Sequence, residues 1–135
     1  MRRSKQRRDA VFACYQQDVT GRPLAELIPD AATFTRDLAE GVEAYRAELD
    51  ARIEGHLRGW TMDRLSPLDL NIMRVALYEI EHRPDVPDEV AINEAIECAK
   101  RFSGADAPGF VNGVLGAIVE PGVALGGGGL AIDDE

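Results

Sequence analysis

The first eight residues, MRRSKQRR, hold the cations Arg2, Arg3, Lys5, Arg7 and Arg8 and no acid, in a 135-residue chain whose net charge is −9. Cations this dense can neutralise successive phosphates of a polyanion through a short, mobile arm. The acidic remainder discourages indiscriminate coating by nucleic acid, so any such contact is local to the arm. The same charges also suit a solvated helix start. Other chemistry is scarce. Cys14 and Cys98 stand alone, with no CxxC and no His pair nearby, and read as reduced apolar side chains, neither bridged nor metal-bound. His56 and His82 sit beside charged neighbours in amphipathic stretches and read as surface residues, without a Ser or Cys nucleophile that either could serve as base. Acids are plentiful, but they are spaced for solvated helix faces and for pairs such as Glu48 with Arg52. No catalytic residue, metal or cofactor is indicated, and the chain reads as a binding protein, not an enzyme.

The elements that must position these residues are helical. With 45% hydrophobic residues the chain suits one domain with a genuine core. It has no apolar run long enough for a membrane span and no signal-peptide pattern, so a cytoplasmic location is expected. Val11, Phe12, Tyr15 and Val19 mark one helix, ended by Gly21 and Pro23. Phe34, Leu38, Val42, Tyr45, Leu49, Ile53, Leu57 and Trp60 advance by three or four residues and predict one long helix with a buried stripe closed by Trp60. Ser66, Pro67 and Asp69 start the next, LDLNIMRVALYEIEH, which is apolar on most sides and so expected at the centre. Pro84 and Pro87 end it. Val90 to Phe102 forms another helix, Gly104 breaks it, and Asp106 with Pro108 opens a last one bearing Val111, Val114, Leu115 and Ile118. No segment alternates as a strand would. The expectation is an all-α fold of six or seven helices in two packed small bundles over residues 1–120. Residues 121–135, PGVALGGGGLAIDDE, are expected to form a flexible tail. Their glycine run lacks the lysine and following helix of a phosphate loop.

Taken in order, RR-x-A-V-x-A-C-Y (7–15), F-x-x-x-L-x-x-G-V (34–42), L-D-x-x-I (49–53), W-x-x-x-R-L (60–65), R-V-A-L-Y-E (74–79), V-A-I-N-E-A-I-E-x-A-K-x-F (90–102) and F-V-N-G-V-L (110–115) resemble the NusB transcription antitermination family across residues 5 to 119. The resemblance implies a helical RNA-binding protein. It would pair with the NusE ribosomal protein on the boxA element of nascent RNA, make RNA polymerase resistant to termination, and support ribosomal RNA synthesis.

Within that reading the basic run positions RNA through its phosphates, but selecting a sequence needs a second surface. Single strands are read by stacking and by hydrogen bonds to base edges, which makes Tyr15, Phe110 and Asn112 the candidates beside the arm. Each also has a structural reading: Tyr15 and Phe110 fit apolar stripes, and Asn112-Gly113 could permit close helix packing. Asn93 is expected to make a structural hydrogen bond to a loop. RVALYEIEHRPDVP resembles the NusE-contacting region, with Tyr78, Glu79 and Arg83 as candidate contacts. Where the family often has an acid after FVNGVL this chain has Gly116, and self-association through the same helices is an alternative pairing. Two other readings stay open: an interaction module associated with an RNA cytosine methyltransferase, and a helical scaffold without RNA.

Overall fold

The computed structural model describes residues 2–120, and the expected tail lies outside them. Helix α1 (Arg3–Thr20) absorbs the basic run and ends at Gly21, whose φ of 75° is the left-handed geometry that closes a helix; its N–H donates to the Gln17 carbonyl. One turn, α2 (Leu24–Leu27), follows Pro23. Next come α3 (Thr33–Ala44), α4 (Arg46–Glu54) and a 3-10 turn at Met62–Arg64. Helix α5 (Pro67–His82) starts where the sequence predicts, with Ser66 Oγ accepting from the Asp69 N–H at 3.0 Å and Pro67 in the first turn. Helices α6 (Asp88–Phe102) and α7 (Ala107–Val119) complete the fold, and no strand occurs among the described residues. Asp106 holds the N-cap position of α7 without a side-chain capping bond.

The two expected bundles share a helix. Helices α1 and α3 pack on α5 with α2 against α1, while α4, α6 and α7 pack on α5 as a second group. Every residue of α5 from Leu70 to Glu79 is buried, the environment that its all-round apolar pattern requires. The buried apolar residues of both groups join in one cluster. Its largest members, Leu38, Leu49, Ile53, Ile72, Met73, Leu77 and Leu115, are fully enclosed, each worth about 1.5–3 kcal/mol of burial.

The stripe from Phe34 to Trp60 is not one helix. The chain bends at Tyr45 (φ −107°, ψ 17°), although the Tyr45 N–H still donates to Gly41 and its carbonyl accepts from Leu49. One turn before the bend, Tyr78 of α5 presses on the α3 backbone, where a Cβ on Gly41 would lie 2.2 Å from the phenol ring. Phe34, Leu38, Val42, Leu49 and Ile53 are buried as expected, but Tyr45 is exposed. Trp60 lies beyond α4 in irregular chain, preceded by a left-handed Gly59 (φ 74°), and is 49% exposed. It closes no stripe. Val19 is likewise exposed at the end of α1.

Candidate nucleic-acid and partner interface

Helix formation from Arg3 onward fixes the basic run in place, and its cations have different fates. Arg3 Nη1 lies 3.0 Å from Asp85 Oδ2, and Lys5 Nζ lies 3.1 Å from Asp9 Oδ2. Arg7 departs furthest from a mobile arm: it is 8% exposed, and its Nε donates to both Glu79 oxygens at 2.9 and 3.0 Å, with Glu94 3.8 Å from Nη1. The cause is Glu79 itself, a carboxylate 1% exposed that needs a cation. Burial pushes the Glu79 carboxyl above its usual range, and the charge and hydrogen bonds of Arg7 oppose that rise. Arg2 is exposed, Arg8 is half-buried, and neither joins an ion pair among the described residues. Around the buried ring of Phe34 stand three guanidinium carbons, those of Arg3 at 4.2 Å, Arg83 at 5.0 Å and Arg7 at 5.2 Å.

The residues expected at a partner face are mostly internal. Tyr78 is buried, its hydroxyl donates to Asp37 Oδ1 at 3.1 Å, and burial raises it to about 12, with the Asp37 charge adding to the effect. Glu79 is sealed against Arg7. The surface expectation for these two is corrected by the depth of α5, which is enclosed on every side through Glu79. Arg83, past the helix end, is partly exposed and anchored: it forks onto Asp85 at 3.1 and 3.0 Å and reaches Asp37 Oδ2 at 3.1 Å. Beside it, exposed His82 stacks with both Tyr45 (4.1 Å) and Tyr78 (5.0 Å), whose own rings are 6.2 Å apart. Arg52 bonds Glu81 across to α5, not Glu48 along its own helix.

The expected RNA readers do not gather at the arm. Tyr15 is half-buried midway along α1, whereas Phe110 and Asn112 are half-buried on α7. Phe110 packs on Trp60, ring centroids 6.2 Å apart, in a cleft shared with Arg64, Asp69 and Asp106. A Cβ on Gly113 would meet nothing within 4 Å, so Asn112-Gly113 is no close-packing device. Asn93 is exposed, opposite the buried Ala91, Ala95, Cys98 and Ala99, and makes no side-chain hydrogen bond among the described residues. The structural amide is Asn71, which donates to Asp18 Oδ2 at 2.9 Å and to the Pro67 carbonyl at 2.8 Å.

That amide belongs to a network the sequence reading missed. Buried Arg74 forks onto Asp50 at 2.7 and 2.8 Å, donates to Asp18 Oδ2 at 2.8 Å and to Asn71 Oδ1 at 3.1 Å, tying α1, α4 and α5 together. Burial works to raise the Asp18 carboxyl, but the bond from Asn71 and the Arg74 charge outweigh it and hold Asp18 below its usual range. One signal could have found this network: Arg74 is the lone cation among the apolar residues of MRVAL, and a buried arginine demands acids. Both cysteines are buried and free. Among the described residues, no cluster of His, Cys, Asp or Glu is placed to hold a metal, and no helix is long and apolar enough to cross a membrane.

Residues 4–120 match the NusB family. The chain belongs to the NusB family. It is 47% identical over 122 residues to the transcription antitermination protein NusB of Rubrobacter xylanophilus, spanning 85% of this chain and 88% of that one. Among solved structures it resembles T. maritima NusB with a TM-score of 0.81 at 29% identity, covering 90% and 92% of the two chains. It also resembles a chain from the crystal structure of the antitermination factors NusB and NusE in complex with dsRNA, with a TM-score of 0.74 at 25% identity over 87% and 97%. The seven helices described above are thus the fold of solved NusB structures.

Proposed function

We propose that this NusB family member is a transcription antitermination factor. It binds boxA-type single-stranded RNA together with the NusE ribosomal protein, joins an RNA polymerase antitermination complex in the cytoplasm, and supports ribosomal RNA transcription without a catalytic step or cofactor of its own. The observation that carries this reading is the likeness of the whole described fold to a chain of the crystal structure of NusB and NusE in complex with dsRNA. The cationic end of α1, with Arg2 exposed, Arg8 half-buried and without an ion pair among the described residues, and Arg3 and Lys5 in exposed ion pairs that phosphates can exchange into, supplies the sequence-independent contact. Tyr15, Phe110 and Asn112 present half-buried rings and an amide for the bases. On the partner side Arg83 makes the contact, held by Asp37 and Asp85, while Tyr78 and Glu79 support it from within. The test is electrophoretic retardation of boxA RNA by the chain, with and without NusE, against RNA of scrambled sequence. A retarded boxA complex that NusE strengthens is expected, and equal retardation of both RNAs would remove the sequence-reading part of the proposal.

A further inference from the structure

Trp60 is placed oddly for a residue with only a structural purpose. Left-handed Gly59 precedes it, and the 3-10 turn at Met62–Arg64 follows. Leu57, Met62 and Leu65 dock this stretch on the core as partly buried side chains, so the loop is anchored without the indole. Trp60 is instead displayed, 49% exposed. The Arg64 guanidinium lies 5.3 Å from its ring, and Phe110 faces it 6.2 Å away at 56°. With Ser66, Asp69 and Asp106 these side chains border a cleft of about 320 Å³, within the size range of small-ligand sites.

The charges of the cleft say which part of a nucleic acid it suits. Asp69, which accepts from Ser103 Oγ, and Asp106 put two carboxylates at the rim. They repel a phosphate. An exposed indole with one guanidinium over its ring and Phe110 beside it offers flat apolar surface to a base plane, and stacking of this kind is how unpaired bases are commonly held. Resting on the RNA-binding reading above, we propose that Trp60, with Arg64, forms a stacking site for one unpaired nucleobase of the bound RNA, so that the strand extends from the cationic end of α1, which pairs with Glu79 and Asp85 at the C-terminal end of α5, to the cleft beside Ser66 and Asp69 at its N-terminal end.

Trp60 is the chain's only tryptophan, so 5-fluorotryptophan labelling places a single 19F resonance in the cleft. The experiment adds boxA RNA to the labelled chain saturated with unlabelled NusE, while fluorescence anisotropy of an end-labelled copy of the RNA reports total binding. The expected result is a shifted 19F resonance that saturates together with the anisotropy. Trp60→Ala is expected to weaken binding by roughly tenfold or more, and Trp60→Phe to recover most of it, because stacking contributes at about that level per base. Matching denaturation midpoints for the variants establish that folding is not the cause. Saturating anisotropy with an unmoved 19F resonance and unchanged affinity of Trp60→Ala would overturn the stacking site and leave the RNA-binding reading standing. Anisotropy that never rises would overturn both.

Discussion

Arg7 and Arg8 are neighbours in the sequence and opposites in the structure. Arg7 neutralises a carboxylate inside the protein, while Arg8 has no ion pair among the described residues. Arg7→Gln leaves Glu79 buried beside only the more distant Arg3, and breaking a buried pair from one side costs about 3–5 kcal/mol. Its urea midpoint should therefore fall sharply. Arg8→Gln should keep the parent midpoint and reduce the slope of log binding constant against log salt by about one, the amount expected for one lost phosphate contact. Residue type and spacing made the whole run look alike, since nothing in MRRSKQRR marks which cation a residue 72 positions later will claim. Asp18 gives a prediction in pH. Its folded carboxyl titrates below the ordinary value of 3.8, so the stability it contributes is fully present above that value and is lost as pH falls through the lower folded one. Asp18→Asn should unfold at lower urea than the parent at neutral pH, and the gap should close as the pH is taken below the usual carboxylate range. A gap independent of pH would place the loss in packing, not in the charge that faces Arg74.

At the scale of elements, what the sequence disclosed is what local chemistry determines. Ser66-Pro67 and Gly21 fixed helix ends because capping and left-handed turns need only a few adjacent residues. The bend at Tyr45 was invisible to periodicity, since a kink that keeps Leu49 and Ile53 on the buried side preserves three- and four-residue spacing. Its setting is tertiary: Tyr78 lies against Gly41 one turn earlier, and only the folded chain brings them together. Gly41→Ala drives a methyl into that ring and should lower thermal stability by about 1–3 kcal/mol, the usual cost of overpacking. Pairing it with Tyr78→Ala, which empties the space, should give less than the sum of the two single losses. The same misplaced stripe made Trp60 a core residue, whereas the structure leaves it half exposed. Trp60→Ala should move the urea midpoint little, whereas Leu49→Ala, from a fully enclosed position, should cost about 2–5 kcal/mol.

For the molecule as a whole, α5 is the main helix through which the two groups hold each other, with Phe12 of α1 against Phe102 of α6 as a direct contact between them. It contacts α1 and α3 on behalf of one group and α4, α6 and α7 on behalf of the other, and the buried side chains of both form one cluster. The Arg74 network adds polar ties from α5 to α1 and α4, so neither group can leave without stranding buried charge. Two small bundles joined only by a loop would unfold separately; two bundles sharing their central helix should unfold as one. Each group carries its own reporter. Cys14, on α1, is fully enclosed with its thiol raised by burial to about 12, and so is unreactive until its group opens. Trp60 packs on Phe110 of α7 and reports the other group. In a Cys98→Ser background, which leaves Cys14 the only thiol, the urea dependence of Cys14 labelling at equilibrium and of Trp60 fluorescence should trace one transition with one midpoint. Labelling of Cys14 at urea concentrations where the fluorescence is still native would mean that α1 detaches from an intact α5, and that the shared helix does not couple the two groups.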